Sequence, residues 1–306
     1  MKSLYESLFD IDDNIENVDE SIKKNILKFI LDNYDLNGDI NISDSPNNNG
    51  KYVVNCDGGV HINIAGGKNK SLTNGMFVWG VIKGCFDCND SQIISLEGAP
   101  EKTEDYFDCS YCYHLKSLKG APKYCTDFDC AHCRSLKTLD GAPNKVMGRF
   151  NCSYCNSLTS LKGAPKEIHG HFHYTFCRSL KTLKGSPKTF FDFNCDQCYS
   201  LESLEGAPEY VSMFKCDYCN SLKTLKGAPK KVTDFLCRYC KSLESLEGAP
   251  EKVNGDFDCE LCPSLESLEG APKKVGDRFI CSGSKKQFTE EDVMKLVGVN
   301  RNKIYV

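Results

Sequence analysis

Apolar and polar residues recur along most of the chain with a period of 21 or 22 residues. The clearest marker of this period is a Gly-Ala-Pro or Gly-Ser-Pro tripeptide. The tripeptide begins at Gly98, Gly120, Gly141, Gly163, Gly185, Gly206, Gly227, Gly248 and Gly270. Successive starts are 22, 21, 22, 22, 21, 21, 21 and 22 residues apart. A fixed period of this length predicts a solenoid, in which one supersecondary unit stacks on the next.

Each unit has the pattern L-x-x-L-x-G-A-P-x-x-V-x-x-F-x-C-x-x-C-x-S, and residues 222–242 are a clean copy. The 22-residue units carry one extra residue between the Val and Phe positions, as between Val253 and Phe257. Phe-x-Cys alternates with period two, which predicts a short strand with one buried face. Gly and Pro then end the strand. A single turn cannot bury its apolar positions alone, so we expect parallel strands about 4.8 Å apart in neighbouring turns.

The pattern divides the chain into four parts. Residues 1–36 are predicted to be a helical N-terminal segment, because Ile22, Ile26, Phe29 and Ile30 form an apolar stripe at helical spacing. Residues 37–80 carry the strand-like runs INIS, KYVVNC, VHINIA and MFVWG and are predicted to be a β-rich N-terminal cap. Residues 81–283 are the repeats. Residues 284–306 are predicted to be a C-terminal cap.

The C-terminal cap is predicted to contain one short helix over about residues 289–297. Thr289 followed by Asp292 resembles a capping box, with an acidic residue at the third helical position. At the end of the repeats, Ser284 replaces the second cysteine after Cys281. The repeat therefore decays before the cap begins.

Composition excludes several classes of protein. The chain of 306 residues is 26% charged and has a net charge of −4, with no one-sided stripe of Lys and Arg, so a nucleic-acid partner is not expected. No apolar run approaches the ~18 residues needed to span a bilayer, so no membrane partner is expected. The first residues carry charges and lack a continuous apolar stretch, which does not fit a secretory signal. We therefore expect a cytoplasmic protein.

The unit resembles a leucine-rich repeat, whose signature is L-x-x-L-x-L-x-x-N/C-x-L. Val, Phe and the first Cys fill its first three apolar positions, and the second Cys stands where the family places its Asn or Cys ladder. The resemblance implies an α/β-type solenoid, a horseshoe with a parallel concave sheet and an extended convex back. It also implies a mixed α/β N-terminal cap and a short helical C-terminal cap. The Leu-x-x-Leu-x-Gly-Ala-Pro segment is similar to the extended backs of bacterial effector repeats.

Three further segments indicate a particular group of leucine-rich-repeat proteins. They are SLTNGMFVWG at 71–80, the repeated SLEGAP, and the closing FTEEDV with IYV. They are similar to Cys-rich leucine-rich-repeat proteins encoded by gut (crAss-like) bacteriophages and by Bacteroides-type bacteria. The resemblance implies a place in the cytoplasm of a bacterial host cell. It implies no biochemical role.

The 20 cysteines follow from the repeat. Most belong to Cys-x-x-Cys pairs: Cys109/Cys112, Cys130/Cys133, Cys152/Cys155, Cys195/Cys198, Cys216/Cys219, Cys237/Cys240 and Cys259/Cys262. Both cysteines fall on inward positions, where a free thiol packs as a small hydrophobe. We therefore expect buried free thiols, with no metal and no cofactor. The alternative is a zinc or redox protein that uses these pairs.

The residues that vary between units indicate a binding surface. The residue just before each second Cys forms one predicted column on the concave face, here named the aromatic column: Tyr111, His132, Tyr154, Phe176, Gln197, Tyr218, Tyr239 and Leu261. Other outward positions lie nearby: Asp108, Asp129, Asn151, His173, Asn194, Asp196, Asp217, Lys215 and Arg238. Exposed aromatic residues edged with carboxylates are typical of protein-binding surfaces. The alternative is that strands simply favour Tyr and Phe.

We therefore predict a non-catalytic protein-binding module. Its partner-binding residues are predicted to be Tyr111, His132, Tyr154, His173, Phe176, Tyr218, Tyr239, Asp108, Asp129, Asp196 and Asp217. His171 and His173 flank an inward Phe172 and are interpreted as a polar patch, with a metal site or a pH-sensitive contact as alternatives. No Ser/His/Asp or Cys/His set is expected apart from the repeats, so the chain is not expected to be an enzyme.

Overall fold

The computed structural model describes residues 18–62, 70–187 and 192–306. Within these residues the chain is a β-solenoid of about 11 turns with little helix. The predicted solenoid is therefore confirmed. Every turn adds a short strand to a 15-stranded sheet, and many add a second strand to a 7-stranded sheet beside it.

The N-terminal part begins with a helix, Val18–Asn33, whose buried residues are Ile26, Leu27 and Ile30. The helix ends before the predicted boundary at residue 36, because Tyr34–Asn37 forms a strand antiparallel to Gly59–Ile62. The first 17 residues of the predicted helical segment lie outside the described residues. The other strands of this part are Ile40–Ile42, Tyr52–Cys56 and Phe77–Ile82, so the predicted strand-like runs are confirmed where they are described.

The strands of the repeats fall into two series. The first series carries the Phe of each unit: Phe86–Asp87, Phe107–Asp108, Phe128–Asp129, Phe150–Asn151, Phe172–His173, Asp192–Asn194, Phe257–Asp258 and Phe279–Ile280. The second series includes the Val position: Lys102–Thr103, Tyr124–Cys125, Lys145–Val146, Glu167–Ile168, Lys252–Val253 and Lys274–Val275.

Two of the units join the two series into one strand. In two successive short units the Val and Phe positions are three residues apart, and single strands of six residues, Tyr210–Lys215 and Lys231–Leu236, span both. In units with the insertion, such as the one around Val253 and Phe257, two short strands replace the single one. The 21-residue unit in which Cys125 and Phe128 are three residues apart also has two short strands, so the insertion is not the only cause of the break.

Neighbouring turns are in exact register. Phe107 pairs with Phe128 in parallel, and their rings stack with centroids 5.3 Å apart and planes 10° apart. Both rings are fully buried. The same alignment recurs along the sheet, so each position of the unit becomes a column that runs the length of the solenoid. Tyr174 stands in the first-Cys position of its turn and is also buried.

The second cysteine of each pair donates a hydrogen bond between turns. The Cys133 thiol donates to the carbonyl oxygen of Cys109 at 3.1 Å. The Cys155 thiol donates to the Cys130 carbonyl at 3.2 Å. These carbonyls lie where the strand ends and the chain turns, and they are buried. The ladder position therefore needs a small side chain that also donates a hydrogen bond.

The C-terminal end has a short helix, Glu290–Met294, a 3₁₀ turn, Arg301–Lys303, and a final strand, Ile304–Tyr305. The predicted capping box is confirmed, since the Thr289 hydroxyl accepts from the backbone N–H of Asp292 and the Asp292 carboxylate accepts from that of Thr289. The helix is shorter than predicted. The element that extends the sheet at this end is the strand, which pairs in parallel with Phe279–Ile280.

Replacement of Gly141 by alanine tests how closely the turns approach. Gly141 has φ +98°, and a Cβ there would lie 2.3 Å from the backbone nitrogen of Lys119 in the preceding turn. We expect a loss of about 2–5 kcal/mol in the free energy of unfolding, from backbone strain and overpacking together. Gly50 is the matched control, because it has φ +71° and open space around it. Gly50→Ala should cost only about 1 kcal/mol in chemical denaturation. Equal losses would mean that close packing between turns is not the constraint.

Replacement of Cys133 by alanine tests the thiol hydrogen bonds. The substitution leaves the buried Cys109 carbonyl without its thiol donor, which costs about 1–3 kcal/mol beyond the lost volume. Cys125→Ala is the control, because Cys125 is equally buried in the Val position and its sulfur makes no hydrogen bond among the described residues. Urea denaturation should show the larger loss for Cys133→Ala. A larger loss for Cys125→Ala would contradict the role of the thiol as a donor.

Candidate functional site

The aromatic column lies where each turn leaves the strand, and its backbone is left-handed. All eight residues have φ between +55° and +61°. Their backbone N–H groups still donate to the next turn, as Tyr111 does to Ala131 at 2.8 Å and His132 to Ser153 at 2.8 Å. The positive φ turns the chain so that the following cysteine points inward, and it directs the column side chain outward.

The rings of the column stack on one another. Tyr111 and His132 have ring centroids 4.3 Å apart with planes 8° apart, and His132 and Tyr154 are 4.3 Å apart at 9°. Tyr154 and Phe176 continue the stack at 4.4 Å and 10°. The predicted column is therefore present as a continuous stack of four rings.

A second, shorter stack follows farther along the column. Tyr218 and Tyr239 have centroids 4.5 Å apart with planes 2° apart. Gln197 separates the two stacks, and its side-chain oxygen accepts a hydrogen bond from the Tyr199 hydroxyl at 2.8 Å. The column thus presents two aromatic surfaces with a polar position between them.

The aromatic column has large side chains at positions whose left-handed backbone favours Gly, Asn or Asp. A left-handed conformation costs a bulky residue about 1–2 kcal/mol, whereas Gly and Asp adopt it readily. The equivalent positions in the first and last turns are Asp90, with φ +50°, and Gly283, with φ +72°. Between them Tyr111 is 42% exposed and Tyr218 is 38% exposed, so burial in the core does not explain these rings.

An open depression of about 350 Å³ lies beside the four-ring stack. Its lining comes from the column and from outward side chains of four neighbouring turns: Ser110, Tyr111, Asp129, Ala131, His132, Arg149, Asn151, Ser153, Tyr154, His173 and Thr175. The structure therefore brings together five of the predicted binding residues. Arg149 and the hydroxyl residues Ser110, Ser153 and Thr175 are not among the predicted binding residues. Strand alternation could have identified them as outward-facing, because each lies two residues from another outward position.

Hydrogen bonds hold the polar side chains of this depression. The Asp129 carboxylate accepts from the Asn151 side-chain amide at 2.9 Å and from the backbone N–H of Ala131 at 2.9 Å. Arg149 lies 3.5 Å from the same carboxylate. Asp108 accepts in the same way from the N–H of Ser110 at 2.8 Å. These two predicted site residues therefore also stabilise the turn that follows the strand.

The imidazoles of the depression are neutral at physiological pH. Burial lowers the pKa of His173, assisted by the nearby His171 and Arg149. Burial also lowers the pKa of His132, with a further effect of Arg134. A neutral imidazole both donates and accepts hydrogen bonds. Among residues 18–62, 70–187 and 192–306, no three His, Cys, Asp or Glu side chains converge as a metal site would require.

The structure corrects the position of Asp217. Asp217 is predicted to be an outward residue beside the column, but it is only 4% exposed. Its carboxylate accepts from the Arg238 guanidinium at 2.6 and 2.9 Å and from the backbone N–H of that arginine at 2.8 Å. Asp217 therefore stabilises the next turn and is not available for direct contact. Asp196 lies one turn earlier, and its carboxylate accepts from the N–H of Asp217 at 2.8 Å.

The repeat cysteines do not reach this surface. All cysteines of the Cys-x-x-Cys pairs are buried and free. Burial strongly raises the pKa of Cys109, Cys130 and Cys152, so these thiols are protonated. A protonated and buried thiol is a poor metal ligand and a poor nucleophile.

No protein-family model, curated protein or solved structure matches the chain. The part of the chain that the structure describes also contains no helix with the length and apolar character needed to cross a bilayer.

Replacement of Asp196 by asparagine tests the raised pKa of this half-buried carboxylate. Burial, together with Asp217, raises the pKa of Asp196 to about 7 from the ordinary value of 3.8. Since the folded state favours the protonated form, ionisation makes the wild-type fold less stable as pH rises from about 4 to about 7. Asp196→Asn retains the oxygen that accepts from Asp217 and removes the charge. Its melting temperature should exceed that of the wild type more at pH 8 than at pH 4. A difference independent of pH would show that the pKa is not raised.

Proposed function

We propose that this chain is a protein-binding module that uses the aromatic column and the adjacent depression as its contact surface. The turns are proposed to be leucine-rich repeats, with the column on the concave side of a horseshoe. The proposed setting is the cytoplasm of a bacterial host cell, with a bacteriophage or Bacteroides-type origin, as the sequence resemblance suggests.

The observation that carries this proposal is the placement of exposed aromatic residues on a strained backbone. The exposed Tyr111 and Tyr218 and the half-buried Tyr154 occupy left-handed positions that Gly or Asp would fill at lower cost. Stacking between turns offsets part of this cost, since aromatic pairs contribute about 0.5–1.5 kcal/mol. The outer edges of the rings remain available, and rigid Tyr side chains give contact area at low entropy cost.

The depression supplies the specificity that a flat aromatic surface lacks. Arg149 offers a cationic donor, Asp129 an acceptor, and His173 a neutral group that does both. Hydrogen bonds within the set fix the Asp129 carboxylate before any partner arrives, which lowers the entropy lost on binding. This combination suits a peptide segment or loop that carries an apolar side chain for the ring edges and polar groups for the depression.

The proposal is tested by capture of a partner from lysate of a Bacteroides-type bacterium with the full chain as bait. The captured protein is then purified and its Kd measured. The test variant combines Tyr154→Asn, Tyr218→Asn and Tyr239→Asn, because Asn accepts the left-handed backbone while removing the ring. We expect Kd to rise at least about tenfold, since central aromatic residues of an interface each contribute 1 kcal/mol or more.

The matched control changes three exposed lysines of the turn backs, Lys119→Asn, Lys162→Asn and Lys226→Asn. Its Kd should equal that of the wild type. Both variants must unfold cooperatively in denaturant, which separates lost binding from lost structure. Unchanged affinity in the folded aromatic variant would show that the column is not the contact surface.

A further inference from the structure

The first turn brings a cysteine, a histidine and an aspartate into line on the outer side of the sheet. The Cys85 sulfur lies 3.5 Å from Nε2 of His61. On the other side of the same ring, Nδ1 lies 3.5 Å from a carboxylate oxygen of Asp87. The strand register produces this arrangement, because His61 pairs directly with Asp87.

Cys85 differs from every other cysteine of the chain. The other 19 of the 20 cysteines are buried, whereas Cys85 is partly exposed. It precedes the inward Phe86, so strand alternation directs its thiol outward, on the same side as Asp87. The packing role that explains the repeat cysteines does not explain this one.

The backbone of the N-terminal cap packs closely against the thiol. Gly59 lies beside the site, and a Cβ there would come within 3.0 Å of the Cys85 sulfur and 3.2 Å of His61 Nε2. Any larger residue there would press on both groups, so glycine lets the cap strand lie beside them.

The remaining neighbours hold the set in place. The second oxygen of the Asp87 carboxylate accepts from the backbone N–H of Asn89 at 3.0 Å, which fixes its orientation. Tyr106 lies beside Cys85 on the next turn, and this contact, with burial, raises the pKa of its hydroxyl. Asp108 adds a further negative charge near Tyr106. The charged residues that precede the site, Lys83 and Asp57, pair with each other at 2.8 Å.

We propose that Cys85, His61 and Asp87 form a nucleophilic thiol site that accepts acyl groups from esters or thioesters. The Cys85 thiol gives its proton to Nε2 of His61, and the sulfur attacks the carbonyl carbon, forming a carbon–sulfur bond. The bond to the leaving alcohol or thiol breaks, and that group takes the proton back from His61. The Asp87 carboxylate accepts a hydrogen bond from Nδ1–H of His61 and so orients the ring.

Water completes the reaction. His61 accepts a proton from water as the water oxygen attacks the thioester carbonyl. The carbon–sulfur bond then breaks, the carboxylic acid leaves, and the Cys85 sulfur regains a proton from His61. Cys85 and His61 are catalytic residues in this scheme, and Asp87 is a positioning residue. This activity is independent of the aromatic column.

The full chain is tested with p-nitrophenyl acetate as the probe. We expect a burst of nitrophenol and an acetyl group on Cys85 in the peptide map. Cys85→Ser should abolish the burst, and His61→Gln should slow acylation about 100-fold or more, the usual contribution of a general base. His169→Gln, which changes an exposed histidine far along the chain, is the matched control and should react at the wild-type rate.

The Asp87→Asn variant tests whether Asp87 orients the His61 ring or only stabilises the fold. The Asn side-chain oxygen can still accept the hydrogen bond from the backbone N–H two residues later, as Asn151 and Asn194 do at equivalent positions. Stability should therefore be unchanged. The acylation rate should fall about tenfold or more at unchanged KM for p-nitrophenyl acetate, because the ring loses the carboxylate that orients it.

Iodoacetamide mapping of the wild type and His61→Gln provides a second readout that does not require Cys85→Ser to fold. The proposal predicts preferential alkylation of Cys85 that slows in His61→Gln. Acetyl groups spread over several residues, or equal Cys85 reactivity in folded wild type and His61→Gln, would overturn it.

Discussion

The backbone hydrogen bonds between successive turns are the interaction on which the rest of this structure depends. Phe107 donates to Asp127 at 2.9 Å, Cys109 to Asp129 at 2.8 Å and Tyr111 to Ala131 at 2.8 Å, and equivalent bonds recur turn after turn. They fix both the spacing and the register of the turns. Every position of the unit therefore lies directly over the same position of its neighbour, and each residue type must suit a column of copies of itself.

The columns explain the composition of the chain. Stacked Phe rings fill the core, Gly141 and its equivalents permit the close approach of the turn backs, and thiols satisfy carbonyls where the strands end. The same alignment acts on the outer side, where it stacks the rings of the aromatic column. At the first turn it also brings His61 beside Asp87, two residues that are far apart in the chain.

Periodicity made much of this fold predictable. The solenoid, the inward cysteines, the parallel Phe strands and the Thr289 capping box follow from spacing and residue type. The positive φ of the aromatic column did not, because left-handed turns are usually marked by Gly or Asn and here carry Tyr, His and Phe.

The parts of the site that escaped prediction depend on contacts between turns that are not identical. Asp217 is buried because the following turn happens to supply Arg238. The Cys85 set depends on the register between the strand Gly59–Ile62 and the first turn. That strand belongs to the N-terminal cap, which lacks the repeat pattern. Strand alternation gives the outward direction of a residue, but only the pairing of particular strands gives its neighbours.

Amide hydrogen exchange at the aromatic column tests the central claim most directly. Tyr154 and Tyr239 have outward side chains, yet their backbone N–H groups donate to Thr175 and Glu260 of the next turns at 2.9 Å. We predict that these amides exchange as slowly as those of the buried Phe residues in the same turns. Exchange of the column amides at the rate of unprotected loop amides would contradict the hydrogen-bonded register from which the columns arise.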